Sequence, residues 1–398
     1  MKYNKIISLI KEIYRVCFPH HRLKNYTNYQ LSKSALAENK NLLSHSKCWK
    51  GKIESCVWFL PQFANIHAGG AVTIFKIAQK LSVKNNCVNY FIFANEVSGD
   101  WNVILNDFYP GLNYEIIISN FVTDVNLDNV PSSDVGVCTF WTTALALVNY
   151  NKCKKKFYLL QDDERLFYAS GSYSSLVEAT YSFGFYGITN SSAIKGMYKK
   201  RCSAPVHHYV PGINKNFLQI KDYASNQREI KIVVYGRPSH SRNAFEILSS
   251  VLSSIAEELS FVKINFVGED FDAKRYRLSP RINVNGNIVD SDDLYSLYDD
   301  CDIGICLITT PTISYQQLDI LASGRCLVAV KNGEIENLFG ENEICFVSPF
   351  YQIMKDELRD LISDRERIKE YAFNGREAVV RLDWDSSLAD IVSFMDDV

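Results

Sequence analysis

From Ser55 onward, short runs of β-branched and aromatic residues alternate with stretches in which apolar positions recur every three or four residues. Continuous apolar runs of four to six residues read as buried strands, and the three-to-four spacing reads as helix. In the first half this pattern predicts strands at Cys56–Leu60, Val88–Phe93, Glu115–Ile118, Val135–Phe140, Phe157–Gln161 and Tyr186–Thr189, with helices at Ala71–Leu81 and Ser174–Ser182. The polar segment 211–227 breaks the alternation and reads as a linker. A second series follows, with strands at Lys231–Tyr235, Lys263–Val267, Ile303–Ile308, Cys326–Val330 and Ile344–Val347. Its helices fall at Ala244–Glu258, Asp292–Asp299, Tyr315–Ala322 and Asp356–Val380. On the helix from Ala244, the residues Phe245, Leu248, Val251, Leu252 and Ile255 share one face.

Strands alternating with helices build a parallel sheet with crossover helices. Two such series predict two Rossmann-like α/β domains facing a deep cleft, where ligands bind outside the carboxyl ends of the strands. The expected organisation is an extension over 1–50, an N-terminal domain over 51–222, a C-terminal domain over 223–380 and a final helix over 381–398. Residues 20–50 are polar and show no clear periodicity, so they are expected to wrap or link. Ahead of them, Ile6, Ile7, Leu9, Ile10, Ile13 and Tyr14 lie among Lys2, Lys5, Lys11 and Arg15. That spacing fits an amphipathic helix over 1–17, resting either on an anionic membrane surface or on the protein itself. Charges interrupt it too often for a signal peptide, and no apolar run is long enough to span a bilayer.

Bulk properties narrow the partners. The 398 residues suit two cores, and a formal net charge of -2 gives no global attraction for nucleic acid. The 11 cysteines form no C-x-x-C pair, which fits buried thiols in a reducing, cytoplasmic setting.

Candidate chemistry collects at strand ends. Tyr235-Gly236-Arg237-Pro238-Ser239-His240-Ser241-Arg242 joins a buried strand to a helix start. Arg237 and Arg242 could converge there with backbone N–H groups on a diphosphate, or stand solvated in a loop. Asp319 is a lone acid on a helix otherwise apolar at Leu318, Leu321 and Ala322, and could accept from a ribose hydroxyl or lie exposed. Gly69 and Gly70 follow the first strand, where paired glycines let a ligand approach the backbone. Nearby His67 is either a catalytic base or an unengaged loop residue. Gln161-Asp162-Asp163-Glu164 follows a strand, so Asp162 is a second candidate base. Glu164, Phe167 and Tyr168 are candidates for holding an acceptor sugar, the two aromatics by stacking. The alternative for this segment is a solvated acidic turn.

Other signals point away from function. Asp290-Ser291-Asp292 spells the D-x-D of metal-dependent glycosyltransferases but precedes a helix, where these residues cap free N–H groups. Asp383 and Asp385 stand likewise before the last helix. His207 and His208 lack partner ligands at metal spacing, so no metal is expected. Neither G-x-G-x-x-G nor a P-loop occurs, which removes the main support for dinucleotide or ATP binding.

Taken together, these segments resemble the WsaF-type rhamnosyltransferases, within the family 4 group of GT-B glycosyltransferases. The resemblance runs from about Ser55 to the C-terminus. It is carried by Gln161-Asp162-x-Glu164 with Phe167-Tyr168 and Gly171-Ser172, by Glu178-Ala179-Thr180-Tyr181-Ser182-Phe183-Gly184-Phe185, by Tyr235-Gly236-Arg237-Pro238 with Arg242-Asn243-Ala244-Phe245, and by Ser314-Tyr315-x-x-Leu318-Asp319. It implies a GT-B fold whose final helix crosses back onto the first domain. It also implies a nucleotide-sugar site in the second domain, with Gly69, Gly70, Arg237, Arg242, Ser314, Tyr315 and Asp319 around the donor. Arg237 and Arg242 would hold the diphosphate and Asp319 the nucleoside sugar. The implied donor is dTDP-L-rhamnose, without a metal or other cofactor, and the implied acceptor is a glycan or lipid-linked oligosaccharide of a bacterial surface polysaccharide such as O-antigen or capsule. The implied location is the cytoplasm or the inner membrane face. The chain departs from the wider family's E-x7-E motif, carrying Pro311 and Asp319 at the two positions. A UDP- or GDP-sugar donor, a nucleotide-sugar epimerase and an inactive binding partner are the competing expectations.

Overall fold

The computed structural model describes residues 29, 31–46, 48–62, 69–95, 101–121, 126–220, 229–288 and 291–398. The proposed amphipathic segment 1–17, His67 and Asp290 lie outside the described residues. Among the described residues, thirteen parallel strands form two sheets. The first orders β1 (Ser55–Leu60), β2 (Val88–Phe93), β3 (Tyr114–Ile118), β4 (Val135–Cys138), β5 (Lys155–Leu160), β6 (Tyr186–Thr189) and β7 (Val206–His208) as β3-β2-β1-β4-β5-β6-β7. The second orders β8 (Ile230–Tyr235), β9 (Val262–Val267), β10 (Ile282–Gly286), β11 (Ile303–Ile305), β12 (Cys326–Ala329) and β13 (Cys345–Phe346) as β10-β9-β8-β11-β12-β13.

Both faces of each sheet are covered, so the central strands have no polar side to show water. In the first domain Trp58, Phe75, Phe91 and Phe157 pack one face, while Phe59, Trp141, Tyr158 and Tyr198 pack the other. In the second, Ile232, Leu248, Leu252 and Ile264 fill one face, and Val233, Leu318, Leu321 and Leu327 the other. Nine of the ten described cysteines are buried within these layers, consistent with their role as small apolar groups.

The last helix, Trp384–Asp397, belongs to the first domain's core. Leu388, Ile391, Val392 and Met395 are buried against that domain rather than its own. Its capping residue Asp383 accepts from Ser386 N at 3.1 Å, the helix-starting role expected of it.

Three expectations need correction. The polar segment 20–50 contains a regular helix at Lys33–Ser46. It docks through the buried ammonium of Lys156, which donates to Asn39 Oδ1 at 2.9 Å, a contact no local periodicity encodes. The linker 211–227 is partly core: Ile213, Phe217 and Ile220 are buried in the second domain around a short turn at Lys215–Gln219. The single helix expected over Asp356–Val380 is two, Tyr351–Ser363 and Arg365–Val379. Asp364 divides them and accepts from Arg367 N at 3.0 Å, starting the second. Among the described residues, no helix is long and apolar enough to cross a membrane.

Candidate functional site

In each sheet the strand order reverses beside the first strand, β1 against β4 and β8 against β11, and ligands of open α/β sheets bind at such points. The loops that follow β1, β5, β8 and β11, together with the helices they lead into, carry every described residue singled out for donor or acceptor binding.

The loop after β8 is fixed by packing. Gly236 N donates to Val267 O at 3.0 Å, and a side chain at Gly236 would overlap the rings of Phe266 and Phe245. The chain then closes a turn in which His240 N donates to Arg237 O at 2.9 Å. Helix Phe245–Glu258 begins behind Ala244, which has a left-handed φ of 47° and no side chain able to cap the helix. Left-handed backbone at a non-glycine residue costs energy and collects at binding sites. An uncapped helix start also leaves N–H groups and positive dipole for an anion.

Arg237 is part-buried, and its Nε is buried without a hydrogen-bond partner. A buried guanidinium donor left unsatisfied is costly unless a ligand completes it. Arg242 is in a different state. Its Nη1 lies 2.5 Å from Asp162 Oδ2 on the opposite domain, and its guanidinium sits 5.2 Å from the centroid of the Phe167 ring. The Arg242 carbonyl accepts from Thr309 N at 2.9 Å, which ties this loop to the one after β11. Arg242 therefore reaches across to the first domain and is paired with Asp162, whereas Arg237 on the same loop keeps its Nε without a partner.

Asp162 is 9% exposed. Burial raises its carboxyl, an effect the Arg242 charge and the hydrogen bond from Asp163 N oppose. Asp319 is half-buried, and no described group bonds to its carboxylate; burial alone pushes it up to about 8.

Other expected site residues take structural roles. Glu164 is 3% exposed and accepts from Trp141 N at 2.7 Å and from Tyr158 Oη at 3.0 Å. Burial raises it well above the usual carboxylate range, so it braces the first domain and cannot reach an acceptor. Tyr168 Oη accepts from Trp141 Nε1 at 3.0 Å, and its ring stacks on Tyr173. Phe167 alone of the trio presents its ring outward, at 40% exposure. Ser314 forms a capping box with Gln317: its Oγ accepts from Gln316 N and its N–H donates to Gln317 Oε1. The Tyr315 hydroxyl bonds Thr73 of the first domain, and its ring stacks on Trp384. A side chain at Gly69 would overlap that same ring, so Gly69 here makes room for Tyr315. Gly70 O accepts from Gln161 Nε2 at 3.0 Å, joining the first loop to the β5 loop.

Sequence reasoning missed one residue that joins the domains. Glu334, 1% exposed, accepts through Oε2 from Ser192 N at 3.0 Å and Ser192 Oγ at 2.7 Å, while the neighbouring Ser191 Oγ donates to Pro311 O at 2.5 Å. A carboxylate of the second domain thereby caps a helix, Ser192–Lys199, of the first. The hydroxyl pair before an apolar helix was the available signal; its partner lies 142 residues away.

Comparison with known proteins agrees with this architecture. Residues 230–349 match the family model of the WsaF C-terminal domain. Over 344 residues, 85% of this chain, the sequence is 26% identical to the O-antigen biosynthesis protein RfbC of Myxococcus xanthus, of whose length it spans 27%. The Anabaena protein Alr3699/HepE in complex with UDP-glucose superposes with a TM-score of 0.67 at 13% identity, covering 86% of this chain and 100% of that one. WaaG, a glycosyltransferase involved in lipopolysaccharide biosynthesis, superposes with a TM-score of 0.64 at 14% identity, covering 85% and 99%. The chain thus has the GT-B fold.

Proposed function

We propose that this chain is a glycosyltransferase that moves a sugar from a nucleoside-diphosphate donor to a glycan of a bacterial surface polysaccharide, with dTDP-L-rhamnose as donor. The observation that carries the reading is the buried, partnerless Nε of Arg237 at the carboxyl end of β8. The unpartnered carboxyl of Asp319 on the neighbouring loop-helix unit supports it. A cationic donor and a hydrogen-bond acceptor so placed match the two ends of a nucleoside diphosphate: phosphate and ribose hydroxyl. The similarity to RfbC supports an O-antigen-type acceptor, and the WsaF model match over residues 230–349 supports the family resemblance from which rhamnose is taken.

In this mechanism Arg237 receives the diphosphate first. Its negative charge then competes with Asp162 for Arg242, and both guanidinium groups face the leaving group as the glycosidic bond breaks. Asp162, released from its counter-ion with a carboxyl already raised by burial, faces the acceptor side as the base for the attacking hydroxyl. Phe167 offers an exposed ring to the acceptor sugar. The transfer uses no cofactor besides the donor, and the chain works at the cytoplasmic face of the membrane, with 1–17 as its surface contact.

The test is transfer from a panel of dTDP-, UDP- and GDP-sugars to a lipid-linked acceptor, with Arg237→Ala as control. The proposal expects one nucleotide class to support transfer, dTDP-L-rhamnose foremost, and Arg237→Ala to abolish it without unfolding. Donor conversion without acceptor would make the chain an epimerase. A properly folded chain that binds no nucleotide would make it a binding partner only.

A further inference from the structure

The turn between the two arginines carries a second arrangement that diphosphate binding does not use. Glu269, just past β9, accepts through Oε2 from Ser239 N at 3.1 Å and from Ser239 Oγ at 2.6 Å. The same Ser239 Oγ lies 2.7 Å from Nδ1 of His240. A hydroxyl has one hydrogen to give and a carboxylate only accepts, so the Ser239 hydrogen goes to Glu269. Nδ1 of His240 is then the donor to Ser239, and in a neutral ring Nε2 keeps a lone pair. Burial, and then the charges of Arg237 and Arg242, push the imidazole down to about 4, so the ring is neutral at physiological pH. Backbone bonds from His240 N to Arg237 O and from Asn243 N to His240 O hold the ring in the same short turn as both guanidinium groups. No described residue donates to Nε2.

A lone pair beside an anion site has a definite chemical preference. It repels a phosphate oxygen and takes a hydrogen from an O–H or N–H. Resting on the nucleotide-sugar reading of the site, we propose that His240 is a specificity-determining residue whose Nε2 accepts a hydrogen bond from an O–H or N–H of the donor beside its diphosphate. Ser239 and Glu269 are positioning residues that fix the ring's tautomer. The hydrogen comes either from the nucleoside, as a ribose hydroxyl or base N–H, or from a hydroxyl of the transferred sugar.

The experiment measures binding by calorimetry for UDP, dTDP, UDP-glucose and dTDP-L-rhamnose, and thermal stabilisation by inorganic sulfate, an anion with no hydrogen to give. Wild type is compared with His240→Phe, His240→Gln and Ser239→Ala, each checked for an unchanged unfolding midpoint without ligand. His240→Phe is expected to bind the preferred nucleotide sugar about ten-fold more weakly, the worth of one hydrogen bond in a site of this kind, while its response to sulfate is unchanged. An equal loss for the free nucleoside diphosphate places the hydrogen on the nucleoside; a loss confined to the nucleotide sugar places it on the sugar. His240→Gln, whose Oε1 can accept in place of Nε2, recovers most of the affinity. Ser239→Ala, which frees the tautomer, shows a smaller loss of the same selective kind. Weakening of sulfate and nucleotide alike, or no weakening of any ligand, overturns the inference. A wild-type chain that binds none of these nucleotides defeats the site reading itself, and the inference falls with it.

Discussion

Replacing Asp162 by Asn is predicted to tighten binding of a nucleoside diphosphate while slowing transfer. Asp162 Oδ2 lies 2.5 Å from Arg242 Nη1, with side-chain exposures of 11% and 29%. A charge-assisted hydrogen bond of this type contributes roughly 1.5–3 kcal/mol, and an incoming diphosphate must displace it to engage Arg242. Asn keeps a carbonyl that can accept from the guanidinium but removes the competing charge. If half of the bond's worth is recovered, the gain is about 0.75–1.5 kcal/mol, or roughly four- to twelve-fold in affinity. The fold loses something of the same order, because Arg242 is left with a weaker partner. A loss of about 1 kcal/mol lowers the thermal midpoint of a chain this size by a few degrees. Isothermal titration of UDP and dTDP into wild type and Asp162→Asn at fixed ionic strength measures the first effect, and thermal unfolding the second. Equal or weaker nucleotide binding by Asp162→Asn would refute the reasoning, since it would mean that Arg242 keeps its carboxylate partner throughout.

Further predictions concern single groups. Asp319 titrates at about 8 in the fold against an ordinary carboxylate value near 4, so between these values the folded protein holds a proton that the unfolded chain has released. Stability should therefore fall as pH rises through that window; the unfolding midpoints of Asp319→Asn and wild type should nearly coincide at pH 4 and separate as pH rises to 8, with the variant the higher, and an equal gap at both would refute the burial argument. Glu334→Ala removes the acceptor of two hydrogen bonds between domains and should lower stability by about 1–3 kcal/mol, read by denaturant unfolding, with a larger radius of gyration in solution scattering; an unchanged radius would mean that other contacts hold the domains together. Gly69→Ala would drive a methyl group into the Tyr315 ring and should break the Thr73–Tyr315 contact, seen as altered tyrosine fluorescence and reduced transfer.

What could be read along the chain, and what could not, follows from where the partners lie. β1, β12 and the Ile232–Tyr235 part of β8 were legible because strands covered on both faces show unbroken apolar runs. β10 escaped notice because it is an edge strand whose Asn283 and Asn285 are exposed, so its sequence reads as loop. β5 begins two residues before its apolar run, at buried Lys155 and Lys156; the second is satisfied by Asn39, Val148 and Asn151 from elsewhere in the fold. Arg237 stood out because a polar residue directly after a buried strand has few structural duties, and Asp319 because it is a lone acid on an otherwise apolar helix. Glu164 looked the same, yet Tyr158 and Trp141 give it such a duty, and neither partner can be inferred from its neighbours. His240 passed unremarked because the carboxylate that orders it, Glu269, follows a different strand.

A crystal soaked with dTDP or UDP tests the central claim most directly. The account predicts the diphosphate against the Arg237 guanidinium, with Arg242 turned from Asp162 toward it and the ribose at Asp319. A nucleotide bound elsewhere, with Arg237 Nε still unpaired and the Arg242–Asp162 contact intact, would contradict it.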